Sequence, residues 1–147
     1  MRVLLQRVTE ASVTVENEPI GSIRAGFVLF LGVLEGDTGD KALWLADKIT
    51  KVRLFPGEDG KINDRSILDT GGGILVVSQF TLAGKTEKGN RPDYTAAAKP
   101  DVAEKLYDYF LECLRTHGVQ NVACGRFGAH MEVRLLNDGP VTLILER

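Results

Sequence analysis

The sequence predicts an α/β fold built on a mixed, mostly antiparallel sheet with two main helices, and three observations carry that expectation. Stretches with apolar residues at alternate positions open and close the chain, two uninterrupted runs of aliphatic, β-branched and aromatic residues lie between them, and two segments repeat their apolar residues at helical spacing. At 147 residues the chain is expected to be a single domain, residues 1–147. A chain of that length buries roughly 68–70% of its unfolded surface, enough for a core without disulfides or metals.

From Met1 to Val15 the period is close to two, with Val3, Leu5, Val13 and Val15 on alternating positions. Glu16-Asn17-Glu18-Pro19 then turns the chain into a second strand, Ile20 to Arg24, giving an antiparallel hairpin. "GFVLFLGVLEG", Gly26 to Gly36, is a continuous apolar run, the pattern of a mid-sheet strand covered on both faces. Asp37 or Thr38 caps a helix to about Thr50, in which Ala42, Leu45, Ala46 and Ile49 share a face. Leu43 and Trp44 widen that face or serve an interface. "VRLFPGEDGKIND" reads as a strand followed by a turn-rich surface loop, and "GGGILVVSQFTL" as a buried strand from Ile74 to Val77 that ends at Ser78. Ala83 to Ala98 is long and polar, a loop of the kind that carries function. Pro100 suits the first turn of a second helix and Gly118 its end, with Val102, Leu106, Tyr109, Phe110 and Cys113 facing the core; Lys99 is a poor N-cap. Strands at Asn121–Cys124, Met131–Asn137 and Val141–Leu145 complete the chain. Between the last two, Asn137-Asp138-Gly139-Pro140 consists of turn-forming residues, and proline cannot donate to a ladder. The tetrad is therefore a hairpin turn, an edge or a purposely placed backbone feature.

Eighteen basic against twenty acidic residues argue against a protein that coats nucleic acid by bulk charge, while leaving room for a local contact with RNA. No DNA or membrane partner is expected. Cys113 and Cys124 show neither metal-ligand spacing nor a disulfide framework and read as reduced thiols of a cytoplasmic protein. The opening "MRVLLQRVTEASVTV" is broken by polar residues and is neither a signal peptide nor a membrane span. Gly-x-Ser-x-Gly, His-Glu-x-x-His and Walker-type motifs are all missing, and no cofactor or metal site is expected. His117 falls in the last turn of a helix, where a dipolar side chain is favourable. His130, in "GRFGAHM", has no Ser or Cys motif beside it, and no two carboxylates are paired by motif. Catalysis would have to rest on hydroxyls, backbone amides or the substrate itself. Ser78 and Thr81 of "SQFTL" are the hydroxyl candidates, at the carboxyl end of a buried strand where α/β sheets present functional groups. Alternatively, Ser78 and Gln79 satisfy backbone groups at a strand end and Phe80 is core.

Taken together, "SQFTL", "NDGPVT", "QRV" at Gln6–Val8, "GNRP" at Gly89–Pro92 and "GRF" at Gly125–Phe127 resemble the D-aminoacyl-tRNA deacylase family over essentially the whole chain. The resemblance implies a barrel-like core and a homodimer. The implied activity is hydrolysis of the ester that joins a D-amino acid, or glycine mischarged on tRNA-Ala, to the terminal adenosine of tRNA. It implies a cis Gly139-Pro140 peptide acting as a gate in the partner's site against L-amino acids, braced by Arg7. Ser78, Gln79, Phe80 and Thr81 would line the catalytic pocket, and Phe127 and Met131 would pack the adenosine. Lys85, Lys88 and Arg91 are candidates for acceptor-stem phosphates. "GAHM" departs from the family's usual spelling at His130. A non-catalytic tRNA 3′-end binding module and a small-ester hydrolase with Ser78 or Thr81 as nucleophile are the competing readings.

Overall fold

A computed structural model describes residues 1–147. The sheet is organised around β1 (Arg2–Val15). One edge of β1 pairs antiparallel with β2 (Glu18–Ile23) along its second half and with β3 (Gly26–Gly32) along its first. After β3 come α1 (Gly39–Lys51), the four-residue α2 (Ile67–Thr70), β4 (Gly73–Ser78), a 3₁₀ turn at Phe80–Ala83, α3 (Pro100–Thr116) and β5 (Val122–Cys124). β3, β4 and β5 run parallel, each joined to the next through helices. The last strand, β6 (Glu132–Glu146), returns antiparallel along the other edge of β1. The six-stranded mixed sheet curls until β2 packs near β5, which makes it the nearly closed barrel that the resemblance implied.

Two apolar clusters explain why β3 and β4 read as unbroken hydrophobic runs. Phe27, Leu29, Leu31, Ile74 and Val76 face the helices with Leu45, Ile49, Phe110 and Leu114. Val28, Leu75 and Val77 face the barrel interior with Val8, Ala11, Val13 and Ile23. Both sides of these strands are covered, as parallel strands require. At the start of the pair, Gly26 lies opposite Gly73, and a Cβ on Gly26 would fall inside the Gly73 backbone. Only glycine permits that approach.

Several expectations need correction. The apolar run leaves the sheet at Gly32, not Gly36, and Leu34 makes only an isolated bridge to Ala97. "VRLF" is not a strand, because Phe55 bridges Arg65 alone and has no neighbouring strand to extend the pairing. The proposed strands Met131–Asn137 and Val141–Leu145 are a single β6. Between Gln6↔Thr142 and Val8↔Asn137, β1 advances two positions while β6 advances five, so Asp138–Val141 bulges from a continuous strand rather than turning a hairpin. The Gly139–Pro140 peptide within it is cis. The buried face of α3 is Ala103, Tyr107, Phe110, Leu111, Cys113 and Leu114, while Val102 and Tyr109 are exposed. Small Ala103 and long Leu111 and Leu114 fill the space against α1 and β4, which rotates the face away from Val102. α2 was missed because four residues hold no periodicity. Its start is nonetheless written as Ser66-x-x-Asp69, a reciprocal capping box in which the Asp69 N–H donates to Ser66 Oγ (3.3 Å) and the Ser66 N–H to Asp69 Oδ2 (2.8 Å). Lys99 makes no side-chain cap, as expected of that residue.

Thr38 stands at the N-cap of α1 without a side-chain hydrogen bond, and Asp37 does something else. Its carboxylate, only 1% exposed, accepts from the Met1 amino group (2.6 Å), the Leu34 N–H (2.7 Å) and Lys41 Nζ (2.9 Å). Burial pushes its pKa up, but these donors outweigh burial and hold it below 3.8. A lowered carboxylate pKa contributes stability above the unfolded value that is lost as pH falls through the folded one. Asp37→Ala strips the partner from a buried amine and is expected to reduce stability by about 3 kcal/mol. Urea unfolding at pH 7 and pH 3 should show the gap between wild type and variant narrowing on acidification.

Candidate active site

β4 ends at Ser78, where the ladder to Leu31 stops, and the chain tightens at once into the 3₁₀ turn that begins at Phe80. The first N–H groups of such a turn have no partner within it, so the Phe80 and Thr81 amides are presented beside Gln79. Across from this strand end, the loop from Gly125 to Met131 leaves β5. Gly125 donates its N–H to the Val76 carbonyl (2.9 Å), and its lack of a side chain lets the Met131 sulfur pack against it. α3 supplies the third wall through Ala103 and Tyr107.

These walls enclose a cavity of about 520 Å³ with Ser78, Gln79, Phe80, Phe127 and Met131 among its lining residues. Five of the predicted site residues are thus brought together from two distant stretches of sequence. The lining is chiefly apolar and includes no Asp, Glu, Lys or Arg; Tyr107 and His130 are its only titratable residues. The Tyr107 hydroxyl donates to the Val76 carbonyl (2.9 Å), and its ring lies 5.9 Å from that of Phe127. Burial pushes the Tyr107 phenol well above its ordinary pKa, so it remains a donor. Sequence reasoning missed this residue because its spacing marks it only as helix core. Phe80 is exposed and packs edge-on (5.2 Å between ring centres) against Tyr94, in the second half of the long polar loop.

Four predicted residues, Thr81, Arg7, Gly139 and Pro140, lie outside the lining. Thr81 is next to it and accepts a hydrogen bond from Gln79 Nε2, which occupies a lone pair of the hydroxyl. Arg7 donates to the Leu54 carbonyl, sits over the Phe55 ring and places Nε 2.8 Å from Asp138 Oδ2. That ion pair lies off the hydrogen-bond direction and leaves Nε without an acceptor. Arg7 therefore reaches the bulge through Asp138, not through the Gly139 or Pro140 carbonyl. Asn137 Nδ2 donates to the carbonyls of Arg7 (3.0 Å) and Val141 (3.3 Å), closing the base of the bulge. Gly139 and Pro140 are exposed and do not line the chain's own cavity. Cys113 is buried and Cys124 half-buried, both as free thiols. His117 ends α3, its Nδ1 2.7 Å from the Cys113 carbonyl.

The sequence profile of the family described as D-Tyr-tRNA(Tyr) deacylase matches residues 4–146. The chain belongs to that family. It is accordingly an enzyme of the deacylase class. The deacylase is 58% identical, over all of both chains but 1% of the relative, to a protein of Exiguobacterium sp. named D-aminoacyl-tRNA deacylase. It is 56% identical to a protein of Thermus aquaticus of the same name, covering 99% of this chain and 95% of the other. A solved structure described as c-Myc DNA Unwinding Element Binding Protein superposes with a TM-score of 0.94 at 42% identity, covering 100% and 99% of the two chains. Another, described as a probable eukaryotic D-amino acid tRNA deacylase, gives 0.84 at 21% identity, covering 98% and 97%, and so shares the fold. No helix of the deacylase is long and apolar enough to cross a membrane.

Because the Gly125 N–H also serves the Val76 carbonyl, removing the Tyr107 hydroxyl leaves no orphaned acceptor. Tyr107→Phe is expected to reduce the stability of the deacylase by only about 1 kcal/mol, the net worth of one hydrogen bond. The shift of its urea midpoint measures this.

Proposed function

We propose that this protein, acting as one domain over residues 1–147, hydrolyses the ester of D-aminoacyl-tRNA, and of glycyl-tRNA mischarged on tRNA-Ala. The observation that carries the reading is the uncharged cavity, which joins the Ser78–Phe80 strand end to the Phe127–Met131 loop. An aromatic face and a thioether suit the terminal adenine. Gln79 and the amides of Phe80 and Thr81 bind the ester carbonyl and the oxyanion that develops from it. With no carboxylate in the lining and the Thr81 hydroxyl engaged by Gln79, the ribose 2′-hydroxyl of the substrate assists the attacking water, and the protein positions and excludes.

The rejection of L-esters is assigned to Gly139-Pro140. An exposed bulge that does not line its own cavity suits insertion into the site of a second copy, where backbone atoms would clash with an L side chain and spare a D side chain or glycine. The homodimer this requires is supported by β6, which pairs only with β1 and carries exposed Leu136, Leu143 and Ile144. Lys85, Lys88 and Arg91, exposed in the long loop beyond Phe80, are assigned to acceptor-stem phosphates. The workplace is the cytoplasm, where charged tRNA is found.

Release of amino acid from matched D-tyrosyl-, L-tyrosyl- and glycyl-tRNA tests the reading. The wild-type protein should cleave the D and glycyl esters and spare the L ester, and a Gly139→Ala/Pro140→Ala variant should lose selectivity by more than about tenfold. Binding of tRNA ends without cleavage would favour a non-catalytic module. Thr81→Ala should lower turnover less than about 100-fold, against the loss of about 10⁶ that follows removal of a true nucleophile. A loss of that size with binding intact would restore the covalent route.

A further inference from the structure

A second cavity, of about 310 Å³, adjoins the first and shares Ala129 and His130 with it. Its other lining residues come from elsewhere in the fold. Thr14 and Glu132 face each other across the β1–β6 ladder, Glu16 and Asn17 form the β1–β2 turn, and Arg126 opens the loop that carries Phe127. Glu16 and Asn17 both have positive φ, 51° and 65°, a two-residue hairpin turn whose shape is set by the backbone. The character of the lining reverses between the two cavities. The first is uncharged and chiefly apolar, whereas the second is polar and holds both signs of charge, with Arg126 beside Glu16 and Glu132. None of these three side chains has a hydrogen-bond or ion-pair partner in the protein. The volume falls at the lower end of the ~300–1,000 Å³ that takes small ligands.

We propose that this second cavity is a subsite for the nucleotide preceding the terminal adenosine, a cytidine in the C-C-A end of tRNA. The proposal rests on the first cavity taking that adenosine. A chain whose terminal nucleotide enters past Phe127 and Met131 must continue outward, and the shared wall of Ala129 and His130 leads into the polar cavity. Single-stranded RNA is read on the Watson–Crick edges of splayed bases. The cytosine edge offers an amino donor beside two acceptors, which a carboxylate and a guanidinium satisfy together. Glu16 or Glu132 accepts from the amino group, Arg126 donates to the ring nitrogen and carbonyl, and His130 stands between the two nucleotides. An apolar or uniformly basic cavity would fit this edge less well. The fold thereby measures two nucleotides rather than one.

Calorimetric binding of cytidylyl-(3′→5′)-adenosine and of adenosine separates this proposal from the catalytic reading. The dinucleotide should bind the wild-type protein about tenfold more tightly, and Arg126→Ala and Glu132→Gln should each shrink that advantage severalfold, as loss of a base-edge contact does. Uridylyl-(3′→5′)-adenosine should lack most of it. Equal binding of adenosine and both dinucleotides would overturn the subsite whatever the hydrolysis assay shows. A preference for the cytidine dinucleotide in a protein that cleaves no D-ester would keep the subsite and remove the deacylase reading. In an active protein, the ratio of kcat/KM for D-tyrosyl esters of the dinucleotide and of adenosine should likewise fall severalfold in Arg126→Ala. An unchanged ratio would overturn the proposal.

Discussion

β1 is the strand to which every other part of this fold is registered. Its first half pairs with β3 on one edge and with the end of β6 on the other, and its second half pairs with β2 and the start of β6. The shared strand also changes sides as it runs. Val3 and Leu5 face the helices, whereas Val8, Ala11 and Val13 face the barrel interior. The alternation is regular through Val8, with Arg7 still on the helix side over Phe55. The change falls between Val8 and Ala11, where β1 carries an extra residue against β6 (Val8↔Asn137, Glu10↔Leu136). One strand thus serves two cores by carrying a bulge of its own, directly beside the Asp138–Val141 excursion of its partner.

The cavity follows from the other half of the sheet. Parallel strands place their carboxyl ends on one side, so the end of β4 and the loop leaving β5 converge although more than forty residues separate them. Val76 ties them together by accepting both the Gly125 N–H and the Tyr107 hydroxyl. A polar site has been built here from backbone amides and an amide side chain, with charge kept out of the lining. Fixed dipoles in an apolar surround act more strongly than the same dipoles in water.

Much of this was legible in the sequence, for reasons that differ by element. β3 and β4 announce themselves because burial on both faces requires unbroken apolar runs, and α1 because its face of Ala42, Leu45, Ala46 and Ile49 has no rival. α3 was placed correctly but turned wrongly, since Val102 and Tyr109 offer a second apolar stripe that only the packing of Ala103 and Leu111 disfavours. The Phe127 and Met131 positions were named through family likeness; periodicity alone marks them as core. Tyr107 gave no signal, because a buried tyrosine with one hydrogen bond spells the same as any other helix-core aromatic. Asp37 looked like a helix cap, and nothing local reveals that its partner is the first residue of the chain.

The bulge in β6 has one more effect, on how chains of this kind avoid sticking. A fifteen-residue strand with a free edge and outward Leu136, Leu143 and Ile144 would ordinarily be a template for open-ended stacking into fibres. Here the edge is cut into two short ladders displaced from each other by the extra residues at Asp138–Val141. A neighbouring strand can follow one ladder or the other, not both, so the edge offers a short, address-like contact instead of a rail along which copies could add without limit.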